Sequence, residues 1–361
     1  MKKILISPGR YLQGNGELRN LGAYVEGYGN KALFVATKES GQRFSGYWNE
    51  SMSKGSSEIF YGGFCGECTK NEIKRLCNIA SEKGCDVIVG LGGGKALDTA
   101  KAVAYYQKSP LIVVPTIAST DAPCSSLGVI YTEKGEFEQY MFFGRNPDLV
   151  LVDTGVIARA PARFLVAGMG DALSTYFEAR SCAKSYAKNI PGGHTTKAAL
   201  AIARRCYETL LEDSVKAKAS CESKVVTEAL ENIVEANTLL SGIGFESSGL
   251  AAAHSVHNGL TVLSETHGFY HGEKVAFGVI VHLVLENAPM AELKEVLAYC
   301  KSVGLPTSLK DLGIANVEKE KLMEVAKAAA AEGETIHNMP FEVTAEDVYA
   351  AILTADILGQ N

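Results

Sequence analysis

The chain has 361 residues, 47% of them apolar and 36 of them glycine, which is enough for a large core and, at about 100 to 200 residues per domain, for two domains. This composition excludes a disordered or fibrous chain. A formal charge of −6 without any basic block argues against nucleic acid or an anionic membrane as partner, leaving a small molecule.

The opening MKKILISPGRY has an apolar run of only three residues, too short for a signal peptide, and reads as a first β-strand. A helical patch at 14–27 and the apolar run KALFVAT at 31–37 continue a β, α, β pattern. A polar stretch follows, then EIFYGGF, then an amphipathic helix over 71–83 with Ile73, Leu76, Cys77 and Ala80 on one face. CDVIVG at 85–90 is a strand that runs through Gly92, Gly93 and Gly94 into the helix KALDTAKAVAYY. LIVVPT at 111–116, a hairpin of LGVIYT and FEQYMFF around Lys134 and Gly135, and LVLVDT at 149–154 complete the β-rich half. Strands alternating with helices predict a mostly parallel sheet covered on both faces, an α/β fold.

From Pro161 onward the texture is helical, with long patterns over 164–183, 195–211 and 225–240, so the boundary is placed at 162 and the domains at 1–162 and 163–361. The longest apolar run, VAFGVIVHLVL, is too short to cross a bilayer and contains a histidine. Nine scattered cysteines predict reduced thiols and a cytoplasmic protein. The one C-x-x-C, Cys65 and Cys68, lacks a second pair and reads as packing.

Three segments carry chemistry. VIVGLGGGKALDTAK places a glycine turn between strand and helix, where backbone N–H groups and the helix N-terminus can receive a pyrophosphate, or where glycine merely allows close packing; the spacing is neither the Rossmann fingerprint nor the P-loop. PTIASTDAPCSS supplies the hydroxyls of Thr116, Ser119 and Ser125 at the sheet edge, with Asp121 either a substrate ligand or an Asx-turn acceptor. In 245–274, four of the seven histidines fall within eighteen positions, and Asp171 lies upstream after Gly-Met-Gly, where a helix cap is the alternative. Imidazoles with one carboxylate suit Zn²⁺ or Fe²⁺, and three protein ligands leave a position open. Spacing does not select which histidines bind; His194, His282 and His337 lie outside the cluster.

The segments SPGRYLQG, GLGGGKALDTAK, PTIASTDAPCSS, GMGDAL, EARSC, GFESSGLAAAHSVHNGL, YHGEKVAFG and EGETIHNMP together resemble the metal-dependent, iron-containing type (group III) alcohol dehydrogenases, in their glycerol dehydrogenase branch, along the whole chain. The resemblance implies a dehydroquinate synthase-like fold, with a Rossmann-like α/β domain followed by an all-helical domain and the active site in the cleft. It implies Asp171, His254 and His271 as ligands of zinc, with Asp121 and His254 beside the substrate. NAD would lie on Gly94 and Lys95, with Thr116, Ser119, Ser125, Leu127 and Tyr131 completing its site. The implied reaction is oxidation of glycerol or a related vicinal diol, glycerol giving dihydroxyacetone, with the metal activating the C2 hydroxyl for hydride transfer. A homo-octamer is also implied.

Two positions depart from the pattern. Where the family holds the adenosine ribose with an aspartate after the second strand, this chain has Thr37, which loosens the preference for NAD over NADP. Where iron-using relatives carry a fourth ligand, a histidine, this chain has Thr175, which favours zinc. The competing readings are a glycerol-1-phosphate dehydrogenase, for which Lys274 and Arg163 are the candidate cations, a dehydroquinate synthase-like lyase, and a sensor that binds NAD without turnover.

Overall fold

The computed structural model describes residues 1–52, 55, 57–315 and 318–360. Among the described residues eight strands are formed: β1 (Tyr11–Gly14), β2 (Lys31–Val35), β3 (Glu58–Tyr61), β4 (Val87–Gly92), β5 (Leu111–Pro115), β6 (Leu127–Tyr131), β7 (Phe137–Phe142) and β8 (Leu149–Asp153). Six of them make one parallel sheet in the order β1-β8-β5-β4-β2-β3, while β6 and β7 form a separate antiparallel hairpin. The strands β4, β5 and β8 are buried throughout, and apolar but for Asp153 at the end of β8, because both of their faces are covered.

The interleaved helices are α1 (Leu21–Glu26), α2 (Lys38–Met52), α3 (Lys70–Lys83), α4 (Gly94–Gln107) and α5 (Thr154–Arg159). Alternate strand residues sort cleanly between them. Phe34, Val89, Leu91 and Ile112 pack with Leu21, Phe44 and Trp48 of α1 and α2. On the opposite face Leu33, Val35, Ile88 and Val113 pack with Leu76 of α3 and Leu97 of α4, in a core that continues without interruption into the helical half. α3 shows why such a helix starts and stops where it does: the Thr69 side chain accepts from the Glu72 N–H, and Gly84 at φ 62° ends it.

After β2 the chain turns to β3 on one side, and after β4 it turns to β5 on the other. The crevice outside the carboxyl ends of β2 and β4 is therefore a topological switch point, where open α/β sheets bind ligands.

Beyond Asp153 the described chain is helical: α6 (Ala162–Ser185), α7 (Lys197–Glu222), α8 (Glu228–Glu235), α9 (Ser241–Ser248), α10 (Ala252–Leu260), α11 (His271–Leu285), α12 (Met290–Val303), α13 (Lys319–Ala329) and α14 (Ala345–Gln360). A π-helical turn, Ala236–Leu240, joins α8 to α9. No described helix is long and apolar enough to cross a membrane.

One sequence expectation is corrected. The opening residues are not a strand of the sheet; Lys3 makes only an isolated bridge to His194, and Ile6 N donates to Ser247 Oγ, because an apolar run of three finds its partners on the helical half. The polar stretch after β2 is helix α2, anchored by Phe44 and Trp48, one turn apart; the Trp48 ring meets Phe34 edge-on at 5.1 Å.

Candidate active site

Asp171 sits in the middle of α6 and is only 1% exposed, so helix capping does not account for it. The Gly-Met-Gly before it lies inside the same helix. Its glycines let other backbones approach: a Cβ on Gly170 would lie 2.3 Å from Gly272 O, and one on Gly168 would lie 2.1 Å from Ala118 O. Gly272 is as constrained, a Cβ there meeting Ala167 O at 1.8 Å. This close crossing sets His271, the first residue of α11, beside Asp171, and α10 brings His254 to the same point.

Asp171 Oδ1 lies 3.1 Å from His271 Nε2 and 3.6 Å from His254 Nε2, and the three donor atoms fall within 4.8 Å of one another. Despite those neighbours, no hydrogen bond reaches this buried oxygen among the described residues. An unsatisfied buried carboxylate oxygen is costly, about 1–3 kcal/mol or more, so it is a feature that a cation resolves. Two imidazoles and one carboxylate fit a divalent transition metal with an open position.

Burial opposes the charged forms, but the partners win. His271 and His254 hold the Asp171 carboxyl well below its usual range, and Glu178 and Asp171 raise His254 well above the ordinary histidine value. Asp121 behaves oppositely: burial and the adjacent Asp171 push its carboxyl well up.

Asp121 enters this cluster from the loop after β5. Its N–H donates to Asp171 Oδ2 at 3.2 Å, and its Oδ2 accepts from Ser241 Oγ at 2.7 Å. Thr175, buried, hydrogen-bonds the same Ser241 hydroxyl at 2.9 Å. At the other end of the loop, Thr116 N donates to Gly92 O, and Ile117 packs beside Gly93. Asn237 of the π turn clamps the middle, donating to Ala118 O and Leu165 O. One short loop thus spans from the glycine turn to the metal-donor cluster, a reach of at most about 18 Å for five residue steps.

The other sequence candidates are placed as follows. Gly94 is the first residue of α4, with open space where a Cβ would project. Lys95 follows it, its amine 2.6 Å from Glu67 Oε2 and 4.8 Å from the Tyr131 ring centroid, which leaves its backbone for an anion. Thr37 ends the β2 edge of the switch point, its hydroxyl donating to Ser40 Oγ. Ser119, Leu127 and Tyr131 are half-buried, and burial raises the Tyr131 phenol. Ser125 is buried with its hydroxyl engaged by Lys101 Nζ and Ala122 O. His267 is exposed and turns back to Thr261 O, and His282 is buried against Ser181 and Glu286, both away from the donor cluster.

The sequence reading missed the groups that support the donors. Glu178 Oε2 lies 2.6 Å from His254 Nδ1, and its Oε1 accepts from the N–H groups of Ala251 and His254. Glu246 accepts from Ser126 N–H and Oγ and from Asn146 Nδ2, tying the β6 end to α9. Glu178 stands in EARSC, but nothing in that segment signals its partner.

The comparisons with known proteins bear on this geometry. Residues 8–154 match the family model described as iron-containing alcohol dehydrogenase. The glycerol dehydrogenase of Citrobacter freundii is 54% identical over 100% of this chain and 99% of its own length. The chain belongs to the iron-containing alcohol dehydrogenase family. Within this family, the glycolaldehyde reductase of Halobacterium salinarum is 47% identical over 100% of this chain and 99% of its own. The crystal structure of a probable glycerol dehydrogenase from Sinorhizobium meliloti 1021 superposes with a TM-score of 0.93 at 47% identity, covering 99% of each chain. The two-part fold expected of the family, α/β then helical, is the one observed.

Proposed function

We propose that this chain is a zinc-dependent, NAD-linked glycerol dehydrogenase that oxidises glycerol to dihydroxyacetone. The observation that carries the reading is the loop from Thr116 to Asp121, which fastens the glycine turn at one end and the buried three-donor cluster at the other. The 54% identity to the glycerol dehydrogenase of Citrobacter freundii supports it. Residues 1–162 form the cofactor-binding unit and 163–361 the metal- and substrate-binding unit. The enzyme is cytoplasmic and a homo-octamer.

Asp171, His254 and His271 hold the metal, and Thr175, committed to Ser241, adds no fourth donor, which favours zinc over iron. When bound, the metal lowers the pKa of the substrate hydroxyl and NAD accepts the hydride. The chain's own contribution is placement. Asp121, fixed by Ser241 on one carboxylate oxygen, presents the other to a substrate hydroxyl beside the donor cluster. The α4 N-terminus and the backbone of Gly94 and Lys95 receive the pyrophosphate. Thr116 and Ser119, with Leu127 and Tyr131 of the hairpin, border the cofactor, and the buried walls around Asp171 exclude water. Oxidation of glycerol to dihydroxyacetone would release one proton from the C2 hydroxyl together with the hydride taken by NAD.

A phosphorylated substrate fits poorly. Of the two candidate cations, Arg163 is tied to the Glu273 carboxylate through Nε at 2.7 Å and Nη2 at 2.8 Å, and Lys274 is buried. The relative named as a glycolaldehyde reductase favours a second substrate class, a 2-hydroxyaldehyde reduced by the same site in reverse. Absorbance of NADH over a panel of glycerol, 1,2-propanediol, glycerol 1-phosphate and glycolaldehyde tests the proposal: net NADH from glycerol is expected, and none from any diol would overturn it.

A further inference from the structure

His271 does not stand alone behind the donor cluster. Its Nδ1 lies 3.0 Å from His257 Nε2, the two rings meeting nearly edge to face with centroids 4.2 Å apart. His257 Nδ1 in turn lies 3.0 Å from Asn258 Oδ1, and Asn258 Nδ2 donates to Glu334 Oε2 at 3.0 Å. Four side chains from α10, α11 and the segment before the 3₁₀ turn Thr335–Asn338 thus form one line of hydrogen bonds that begins at a carboxylate and ends at a metal-donor imidazole.

The order of protons along that line is fixed from its far end. An ionised carboxylate only accepts, so Asn258 turns its amide nitrogen to Glu334 and its carbonyl oxygen to His257. His257 must then carry its proton on Nδ1 and offer the lone pair of Nε2. His271 donates Nδ1–H into that lone pair, which leaves its own Nε2 unprotonated and aimed at Asp171 Oδ1, 3.1 Å away.

We infer that His257 is a positioning residue of the metal centre, and that Asn258 and Glu334 set the tautomer in which it holds His271 with Nε2 free to bind the ion. This rests on the metal reading of Asp171, His254 and His271. It distinguishes the two adjacent histidines of α10 by role: His254 is a ligand, and His257, one turn on, acts only through His271. The same line accounts for the EGETIHN segment, in which Glu334 reaches across to α10 while Thr335 anchors the turn on Ala251 O.

The test is the zinc affinity of the purified enzyme, read by competition with a chromophoric chelator, together with the visible spectrum of the cobalt-substituted form. His257→Leu, which removes the acceptor, should weaken zinc about 10- to 100-fold and alter the cobalt spectrum. His257→Gln, whose side-chain oxygen can replace the Nε2 acceptor, should stay within about threefold of the wild type. Glu334→Leu, remote from the ion, should weaken zinc by about 10-fold, and serves if His257→Leu does not fold. Asp171→Asn separates the two hypotheses. Should the wild-type protein bind zinc no better than Asp171→Asn, the metal reading fails. Should it bind well, with His257→Leu and Glu334→Leu both unchanged in affinity and spectrum, the positioning role fails alone.

Discussion

Glu178 Oε2 and His254 Nδ1 are 2.6 Å apart, with Glu178 fully buried and its other oxygen taken by two backbone N–H groups. The pair fixes which imidazole nitrogen of His254 faces Asp171, and the carboxylate strengthens that nitrogen as a donor. Glu178→Gln keeps the shape and removes the charge. Zinc affinity, measured by titration of the metal-free protein, should fall by about 10-fold, and an unchanged affinity would show that Glu178 serves packing alone.

The crossing of α6 and α11 is set by glycines. In Gly272→Ala the added carbon would sit 1.8 Å from Ala167 O, so α11 must move and take His271 with it. Overpacking of this kind costs about 1–3 kcal/mol, and here it also separates the metal donors. Both the melting temperature and turnover should drop. Gly268→Ala, with nothing within 4 Å of the added carbon, is the control and should change neither.

A second cluster, around Glu286, contributes to acid stability. Burial alone would raise the Glu286 carboxyl, but His282, Ser181 and Arg180 hold it below the usual carboxylate range. In the unfolded chain a glutamate titrates near about 4.3. The stabilisation is therefore complete above that value and is lost as pH falls through it toward the folded pKa. Melting temperature followed from pH 6 down to pH 3 should decline steeply in the wild type and less steeply in Glu286→Gln.

At the carboxyl end of β2, Thr37 puts a neutral hydroxyl, already held to Ser40, where an aspartate would repel a 2′-phosphate. The enzyme should accept NADP⁺ to a measurable extent. Thr37→Asp should shift the ratio of kcat/KM for NAD⁺ over NADP⁺ by about 10-fold or more toward NAD⁺. A wild type that already rejects NADP⁺ would remove Thr37 as the determinant.

Much of this was legible in the chain. Short apolar runs such as VIVG and LVLV, rich in β-branched residues, read as strands covered on both faces, and the glycine turn after VIVG leads into a helix and marks a carboxyl end. Spacing also located the histidine cluster in 245–274. What such patterns could not show was partnership across the chain. Glu178 lies 76 residues from His254, and Glu334 lies 76 from Asn258, distances over which no local pattern operates. Ile4 to Ile6 were misread for a related reason: their fate depends on His194 and Ser247, which lie far away in sequence.

In the proposed reaction, hydride transfer from glycerol depends on a metal held by the buried cluster of Asp171, His254 and His271. This dependence is tested most directly by following NADH formation from glycerol in the wild type and in Asp171→Asn, before chelation, after chelation and after return of zinc. Activity should vanish on chelation and recover with zinc in the wild type, and be absent throughout in Asp171→Asn. Turnover that survives chelation, or an Asp171→Asn enzyme as active as the wild type, would contradict it.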